Sequence, residues 1–256
     1  MKVAMDIVSA VPVLGDHDHI TRARQVLRDD AFREIYIVDA KGRCTGYIDI
    51  SDALRVNATR SNVTLEGFVK TAAMVTPEDT LEKVAATVIQ SRTDSTAVVD
   101  SNGKLIGGIL VSDLFPIVLS RHEPKGKVAD CMSKKVVTAE ANDPLQRVHT
   151  LIIESGYTAF PVLKKHLLIG MISRRDLLDA GHFRRSLMQS GNAMVEELMT
   201  TPVISISPEQ EIRTAAELLI KHDISRLPVE EDGKVVGILD RHDVLNGLKI
   251  QAERTL

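Results

Sequence analysis

The chain has 256 residues, of which 44% are hydrophobic, 26% are charged and only 3% are aromatic. This composition is typical of a globular protein whose core is aliphatic rather than aromatic. A net charge of -3 argues against a nucleic-acid partner, which usually binds a basic face. Cys44 and Cys131 lie outside any CxxC pattern, and no apolar run is long enough to cross a membrane. We therefore expect reduced cysteines and a soluble, cytoplasmic protein without a membrane partner.

The first half of the chain contains one pattern twice. An amphipathic helix is predicted from Ile20 and a short strand from Tyr36, and a glycine, Gly46, follows in a second predicted strand. Six residues after that glycine comes Asp52, at the start of another predicted helix. The same order and spacing return at Leu81, Ala97, Gly107 and Asp113. Self-similarity at a period of about 60 residues indicates a repeat protein.

The second half contains the pattern twice more, with one residue fewer between the strand start and the glycine. That residue is missing from the predicted hairpin turn, where loop length varies most freely. Glycines at positions 42, 103 and 233 suit the positive φ angles of such turns, whereas the third turn reads Lys164-Lys165-His166. The two copies are marked by Leu145, Pro161, Gly170 and Asp176 and by Ile212, Pro228, Gly237 and Asp243.

Each copy reads as a βαββα unit, so the expected fold class is mixed, α+β or α/β. The helices carry apolar residues at i, i+3, i+4 and i+7, which form one buried face. A unit of this size buries little surface alone, so we expect the units to pair through their sheets. The polar segment 121–127 divides the chain, which pairs repeat one with two and repeat three with four. The predicted repeats are 1–60, 61–122, 123–186 and 187–256.

These units resemble the cystathionine-β-synthase (CBS) domain. Repeat four carries most of the resemblance, with MTTPVISISP at 199–208, ISRLPV at 224–229, DGKVVGIL at 232–239 and RHDVL at 241–245. Repeat two matches through VTPEDTL at 75–81 and GKLIG at 103–107, and repeat three through FPV at 160–162 and GMISRRDLL at 170–178. Repeat one is the most diverged. In layout the chain is similar to the γ subunit of AMP-activated protein kinase and to stand-alone prokaryotic CBS proteins.

The resemblance implies four CBS repeats that form two Bateman modules, with adenosine compounds bound in the clefts between paired repeats. The chemistry of an aspartate at a helix start fits this expectation. Its carboxylate lies beside free N–H groups and can accept both hydrogen bonds of a ribose 2′,3′-diol. Apolar residues at strand starts can enclose a flat base, and a basic residue can neutralise phosphate.

Two clefts of the second half follow from this resemblance. The more complete one would use Ser173 and Asp176 for the ribose, and the other would use Asp243. Asp240 stands where the family pattern has Ser or Thr, and a second carboxylate there would repel a triphosphate. The remaining residues implied are Met171 and Ile204 around the base and Ser225 and Arg226 toward phosphate in the first cleft, and Ile238, Val137 and Thr158 in the second.

The first half offers two less complete candidates. Asp113 follows Leu110 where a hydroxyl residue is expected, and Asp52 follows Asp49. At all four positions the aspartate has a second interpretation, in which it only caps the N-terminus of its short helix.

The features together favour a non-catalytic regulatory sensor that requires no cofactor. Its ligand would be AMP, ADP, ATP, S-adenosylmethionine or methylthioadenosine, and binding would alter the arrangement of the units for a regulated partner protein. Exposed sheet edges favour a homodimer. The alternative is a structural dimerisation or scaffold protein with vestigial clefts. Nothing in the sequence favours an enzyme, since neither a GxSxG nor a GxxxxGK[ST] motif occurs.

Two charged clusters have competing interpretations. The run Asp16-His17-Asp18-His19 reads as helix-capping residues rather than a metal site, because adjacent residues cannot all converge on one ion. The pair Arg174-Arg175, near the more complete cleft, fits either phosphate contact or a solvated helix face.

Overall fold

The structure is a computed structural model, and it describes residues 2–29, 32–56, 63–179, 193–248 and 250. Short strands alternate with helices in four successive units. The helices are α1 (Ile20–Asp29), α2 (Ile50–Arg55), α3 (Leu81–Ser91), α4 (Val111–Arg121), α5 (Val128–Cys131), α6 (Leu145–Ser155), α7 (Arg174–Asp179), α8 (Ile212–Lys221) and α9 (Arg241–Gly247). The strands are β1 (Val13–Gly15), β2 (Glu34–Val38), β3 (Cys44–Asp49), β4 (Met74–Val75), β5 (Ser95–Val99), β6 (Leu105–Leu110), β7 (Ala139–Glu140), β8 (Ala159–Lys164), β9 (Leu167–Ser173), β10 (Arg226–Glu231) and β11 (Lys234–Asp240).

Each of the first three repeats forms a sheet of three strands. The first strand is parallel to the second, and the second and third form an antiparallel hairpin. In repeat four the hairpin β10–β11 is joined by Ile206, which forms a parallel bridge with Val229 in place of a first strand. The mixed α/β fold predicted from the repeats is thus confirmed.

The hairpin turns follow the predicted chemistry. Gly42, Gly103 and Gly233 have φ angles of 77°, 78° and 75°. The third turn adopts the same left-handed conformation without glycine, at Lys165 (φ 53°) and His166 (φ 68°). Non-glycine residues bear a cost of about 1–2 kcal/mol each in this region.

Backbone hydrogen bonds join the sheets of repeats one and two and, separately, those of repeats three and four. The Cys44 N–H donates to the Gly103 carbonyl at 3.0 Å, and the Leu105 N–H donates to the Gly42 carbonyl at 3.0 Å. In the second half the Leu168 N–H donates to the Gly233 carbonyl at 2.9 Å. The pairing is therefore the one predicted, and we call repeats one and two the first module and repeats three and four the second module.

Helices, rather than sheets, join the two modules to each other. One apolar core combines repeats one and three, with Leu54 of α2 beside Leu177 of α7. A second core combines repeats two and four, with Phe115 of α4 near Leu245 of α9. His149 lies in the first of these interfaces, where its Nε2 is 3.0 Å from the Leu54 carbonyl oxygen.

The chain entering each repeat crosses to the partner repeat of the same module. The Ala4 N–H, for example, donates to the Asp79 carbonyl of repeat two at 2.8 Å, and the Leu65 N–H donates to the Asp18 carbonyl of repeat one at 2.9 Å. Repeats are thus interlocked at their entry segments. The predicted boundaries at 60/61 and 186/187 lie outside the described residues.

The glycine shared by all four repeats has a steric cause. A Cβ added to Gly46 would lie 2.3 Å from the Lys70 carbonyl oxygen, and one added to Gly107 would lie 2.6 Å from the Ser9 carbonyl oxygen. At Gly170 the distance to the Thr200 carbonyl oxygen would be 3.0 Å. The entry segment of one repeat therefore passes against the second hairpin strand of its partner at a distance that only glycine permits.

We predict that Gly46→Ala lowers the free energy of unfolding by about 1–3 kcal/mol, because two backbone segments must separate. Chemical denaturation measures this change. Gly67→Ala is the matched control, since an added Cβ there meets no atom within 4 Å. Equal stabilities for the two variants would contradict the close approach of the sheets.

Candidate functional site

Three of the four repeated aspartates fold back onto the start of their helix. In each case the carboxylate Oδ2 accepts a hydrogen bond from the backbone N–H three residues earlier, which is a capping interaction. The three pairs are Asp52 with Asp49 at 2.9 Å, Asp176 with Ser173 at 2.7 Å and Asp243 with Asp240 at 3.0 Å. One oxygen of each of these three carboxylates therefore caps its helix, as the second interpretation of the repeated aspartates predicts.

The other oxygen distinguishes the two aspartates of the second module. Among the described residues, none donates a hydrogen bond to Oδ1 of Asp176, whose Oδ2 also accepts from the Ser173 hydroxyl at 2.7 Å. Oδ1 of Asp243 is held by Arg92 of the first module at 3.1 Å. Among the described residues, Oδ1 of Asp176 is thus available as an acceptor, whereas Oδ1 of Asp243 already accepts from Arg92.

The aspartates of the first module are not available in the same way. Asp52 is 1% exposed, and Lys70 Nζ lies 2.7 Å from its Oδ2. Asp113 is exposed, and its helix α4 has no side-chain cap, since the N-cap residue is Leu110. Beside it, the space next to Gly108 is filled by Val11 and Tyr36, since a Cβ on this glycine would lie 2.6 Å from Val11 Cγ1 and 3.3 Å from the Tyr36 ring.

The six residues predicted for the more complete cleft line one cavity of about 270 Å³ in the second module. We call this cavity cleft A. The Met171 N–H and the Thr200 carbonyl oxygen join the two repeats at its edge at 3.1 Å, which fixes Met171 opposite the segment that carries Ile204. The predicted residues that line cleft A are Met171, Ser173, Asp176, Ile204, Ser225 and Arg226.

Arg226 and Arg33, which line cleft A, form no ion pair within 4 Å with a carboxylate of the described residues. Burial lowers the pKa of the Arg226 guanidinium, the nearby carboxylates of Asp240 and Asp94 raise it, and the charges of Arg174 and Arg33 lower it. Arg33 comes from the first module and donates from NH1 to the Ser225 hydroxyl at 3.0 Å. Half-buried guanidinium groups in this arrangement favour an anion.

The five residues predicted for the other cleft line a second cavity of about 380 Å³, which we call cleft B. They are Asp243, Asp240, Ile238, Val137 and Thr158. Burial and the neighbouring Asp240 raise the pKa of Asp243 to about 6, although Arg92 opposes the shift. Burial and the charge of Asp94 raise the pKa of Glu34, which also lines cleft B, to about 7. Cleft B is therefore richer in carboxyl groups than cleft A.

Thr158 lies between the two clefts and lines both cavities. Its hydroxyl oxygen is buried and has no hydrogen-bond partner among the described residues. A buried hydroxyl without a partner is costly, so its position next to two cavities favours a ligand that supplies one.

Arg174 occupies the centre of the interface between the modules. It is 5% exposed and donates from NH1 to Asp49 at 2.8 Å and to Ser51 at 3.0 Å, and from NH2 to Asp94 at 2.9 Å. Although burial disfavours its charge, Asp49 and Asp94 raise the pKa of the guanidinium. This buried ion pair rules out the solvated-face interpretation of Arg174, while Arg175 lines cleft A.

Three residues of the site were missed by the sequence interpretation. Arg33 and Arg92 reach the clefts from the other module, across 192 and 151 residues of chain. Of the three, only Lys70 could have been noticed in the sequence. It is a lysine at an entry position where the other repeats have the small hydroxyl residues Ser9, Ser133 and Thr200.

Two further properties concern the described parts of the chain. They contain no group of three or more His, Cys, Asp or Glu side chains placed to hold a metal ion. Of the run at 16–19, Asp18 accepts from the Gly15 N–H at 2.9 Å and from Arg22 at 2.7 Å. No helix in the part of the chain that the structure describes has the length and apolar character needed to cross a bilayer.

Comparisons with known proteins agree with this architecture. The CBS domain model matches residues 3–58, 68–120, 128–182 and 195–250. The repeats define a protein built of two paired modules with clefts between their repeats, and the chain belongs to the CBS domain family.

Individual relatives differ in how much they share with the chain. Protein MJ1225 of Methanocaldococcus jannaschii is 24% identical over 174 residues, which is 64% of this chain and 62% of that protein. Its crystal structure, described as that of a proposed archaeal homologue of γ-AMPK, aligns with 96% of this chain and 99% of its own, with a TM-score of 0.83 and 18% identity. The sequence match thus spans less than two thirds of that relative, and the structural likeness shows the fold alone.

Two further relatives each match about half of the chain. CBS domain-containing protein YhcV of Bacillus subtilis is 30% identical over 119 residues, which is 46% of this chain and 81% of that protein. The CBS domain pair of protein MJ0100, solved with 5′-methylthioadenosine and S-adenosyl-L-methionine, covers 48% of the chain and 95% of its own at 28% identity, with a TM-score of 0.42.

We predict that Arg92→Met raises the pKa of Asp243 further above 6, by roughly 1 pH unit, because a neighbouring positive charge that favours the carboxylate is lost. NMR titration of the carboxyl carbon measures the pKa. In the wild type, a fall in pH through about 6 protonates Asp243 and releases Arg92. The control is Arg22→Met, which removes a surface ion pair elsewhere. An unchanged pKa in Arg92→Met would show that the modules do not make this contact in solution.

Proposed function

We propose that the chain is a regulatory sensor that binds a phosphorylated adenosine compound in cleft A. The observation that carries this proposal is a combination of groups in one cavity. The Oδ1 of Asp176 accepts no hydrogen bond from the described residues, and the guanidinium groups of Arg226 and Arg33 form no ion pair within 4 Å among those residues. Nucleosides with a phosphate group need both a diol acceptor and a cationic site, and cleft A offers them within about 270 Å³.

The ribose would bind at Asp176. Because Oδ2 is already held by Ser173, the carboxylate is fixed in orientation, and Oδ1 accepts a ribose hydroxyl without displacing a protein group. Burial raises the pKa of Asp176, so hydrogen bonds from a diol would also stabilise the charged form.

The base and the phosphate would occupy the two remaining parts of cleft A. Met171 and Ile204 belong to different repeats, which the Met171–Thr200 bridge holds together, so a flat base between them contacts both. The phosphate would bind at Arg226 and Arg33, with Ser225 as a further donor. Charge-assisted hydrogen bonds from guanidinium groups to phosphate are among the strongest in proteins.

Cleft B would take an adenosine compound with less negative charge. Asp240 and Asp243 lie side by side there, and Glu34 and Asp94 line the same cavity. A second phosphate would meet these carboxyl groups, and a ligand at Asp243 would share Oδ1 with Arg92. S-adenosylmethionine or methylthioadenosine fits this charge balance better than ATP does.

Regulation would act through the contacts between the modules. Arg33 and Arg92 belong to the first module but reach the clefts of the second, so ligand binding acts on both at once. A ligand can shift the arrangement of the modules only if it binds one arrangement more tightly. A regulated partner protein would recognise the changed arrangement of the modules. A homodimer of the chain would be one assembly to which this partner binds.

The Asp52 carboxylate, which Lys70 already contacts, favours a second candidate function, a structural scaffold, for the first module. A scaffold would show no change in melting temperature with AMP, ADP, ATP, S-adenosylmethionine or methylthioadenosine at millimolar concentration. A sensor would be stabilised by at least one of them, by about 2.7 kcal/mol at a ligand concentration of 100 times Kd.

We predict that Asp176→Asn abolishes the stabilisation by AMP, because the amide nitrogen presents donors where the ribose needs an acceptor. Thermal unfolding with and without AMP measures the effect. Asp113→Asn is the matched control, since Asp113 has the same position in repeat two but is exposed. Retention of the full AMP shift in Asp176→Asn would refute the ribose site.

We further predict that Arg226→Met weakens binding of the phosphate group and leaves binding of the nucleoside largely unchanged. Affinity for AMP should fall about 10–100-fold, the equivalent of one or two charge-assisted hydrogen bonds, while affinity for adenosine changes little. Isothermal titration with the two ligands makes the comparison. An equal loss for both would mean that Arg226 supports the fold of the cleft and does not contact phosphate.

A further inference from the structure

Four corresponding residues lie on the entry segments, each paired through a backbone bridge with the partner repeat. The bridges are Ser9 with Gly108, Lys70 with Tyr47, Ser133 with Ile238 and Thr200 with Met171. In the second module, Thr200 lines cleft A and Ser133 lines cleft B, so this position faces a cleft. Three of the four residues have short hydroxyl side chains, and the fourth is lysine.

The lysine places its ammonium group on the carboxylate of its cleft. Lys70 Nζ lies 2.7 Å from Asp52 Oδ2 and 3.1 Å from Asp49 Oδ2. It also lies 5.3 Å from the centroid of the Tyr47 ring. The corresponding residues of cleft A are Asp176, Ser173 and Met171, which we assign to the ribose and the base. One side chain of the protein therefore contacts all three groups of this cleft at once.

The chemistry of this contact matches that of the ligand it would replace. An ammonium group has three donors and no acceptor, so it supplies hydrogen bonds to Asp52 and Asp49 as a ribose diol would supply them to one carboxylate. Its position over Tyr47 is a cation–π contact on the ring face that a base would otherwise cover.

The charges show why the cleft needs Lys70. Burial and the nearby Asp49 raise the pKa of Asp52, whereas Arg174 and Lys70 lower the pKa of Asp49 despite its burial. Without Lys70, the cationic partners of these two carboxyl groups among the described residues would be Arg174, on Asp49, and the weaker contact of Arg55 NH1 with Asp52 at 3.6 Å. An uncompensated pair of this kind is strongly unfavourable.

We propose that Lys70 is a built-in occupant of the Asp52 cleft, which its ammonium group closes to nucleosides. This inference rests on the proposed function for the assignment of the corresponding groups in cleft A. It identifies Lys70 as the residue that keeps nucleosides out of the Asp52 cleft and makes this part of the first module a permanently filled, structural counterpart.

The test is the stoichiometry of adenosine binding, measured by isothermal titration. The double variant Lys70→Thr with Asp49→Ser recreates the Thr200 and Ser173 of cleft A, and the single variant Lys70→Ser copies Ser9 and Ser133. At least one of them should bind one more mole of adenosine per mole of chain than the wild type, and Asp52→Asn should abolish this gain. Lys83→Thr is the control, because Lys83 pairs with Asp79 at 2.6 Å outside the clefts. Wild-type stoichiometry in both variants, with cooperative unfolding intact, would overturn the inference.

A second variant keeps the test valid if the substituted proteins do not fold. Asp176→Asn with Asp243→Asn disables both clefts of the second module and leaves Lys70 in place. It should bind no adenosine, and residual binding that Asp52→Asn removes would overturn the inference. The proposed function is judged separately, by the wild type. If the wild type binds neither adenosine nor AMP but a Lys70 variant binds adenosine, the sensor proposal fails while Lys70 remains the occupant of its cleft.

Discussion

The structure depends on a carboxylate that folds back onto the start of a short helix. In repeats one, three and four, one oxygen of this carboxylate caps the backbone and so fixes the direction of the group. The further contacts of the carboxylate then decide what the repeat can do. No described residue donates to the second oxygen of Asp176, Arg92 of the other module contacts the second oxygen of Asp243, and Lys70 contacts the capping oxygen of Asp52. A single local motif thus gives three chemically different clefts.

Cleft A of the second module depends on contacts with the first module. Arg174 begins α7, the helix that also carries Asp176, and its buried guanidinium binds Asp49 and Asp94 of the first module. Breaking such a buried pair from one side leaves an uncompensated charge, which typically costs 3–5 kcal/mol. The first module therefore holds the start of α7 in place through Arg174. The same α7 carries the ribose-binding group proposed for cleft A.

Much of the fold could be predicted because it is local and repeated. The hydrophobic period, the glycine that permits close approach of the sheets and the turn glycines each follow from neighbouring residues. The residues expected in the second module, such as Asp176 with Ile204 and Asp243 with Val137, do line common cavities. These residues come from paired repeats, whose relation was visible in the spacing of the sequence.

The contacts between modules could not be predicted in this way. The packing of repeat one on three and of two on four follows from the shapes of apolar helix faces, and the sequence pattern does not specify which faces meet. Arg33 and Arg92 enter the clefts only because of that packing. The closure of the Asp52 cleft depends on where the Lys70 ammonium group lies. Aligning the repeats shows that lysine is unusual at this position but does not show which groups its side chain contacts.

The most direct test of this account is a crystal structure of the chain grown with AMP. The account predicts ligand density in cleft A, with a ribose hydroxyl within hydrogen-bond distance of Asp176 Oδ1 and the phosphate at Arg226. The cleft of Asp52 should still hold Lys70. AMP bound at Asp52 with Lys70 displaced, or AMP bound outside the clefts of the second module, would contradict it.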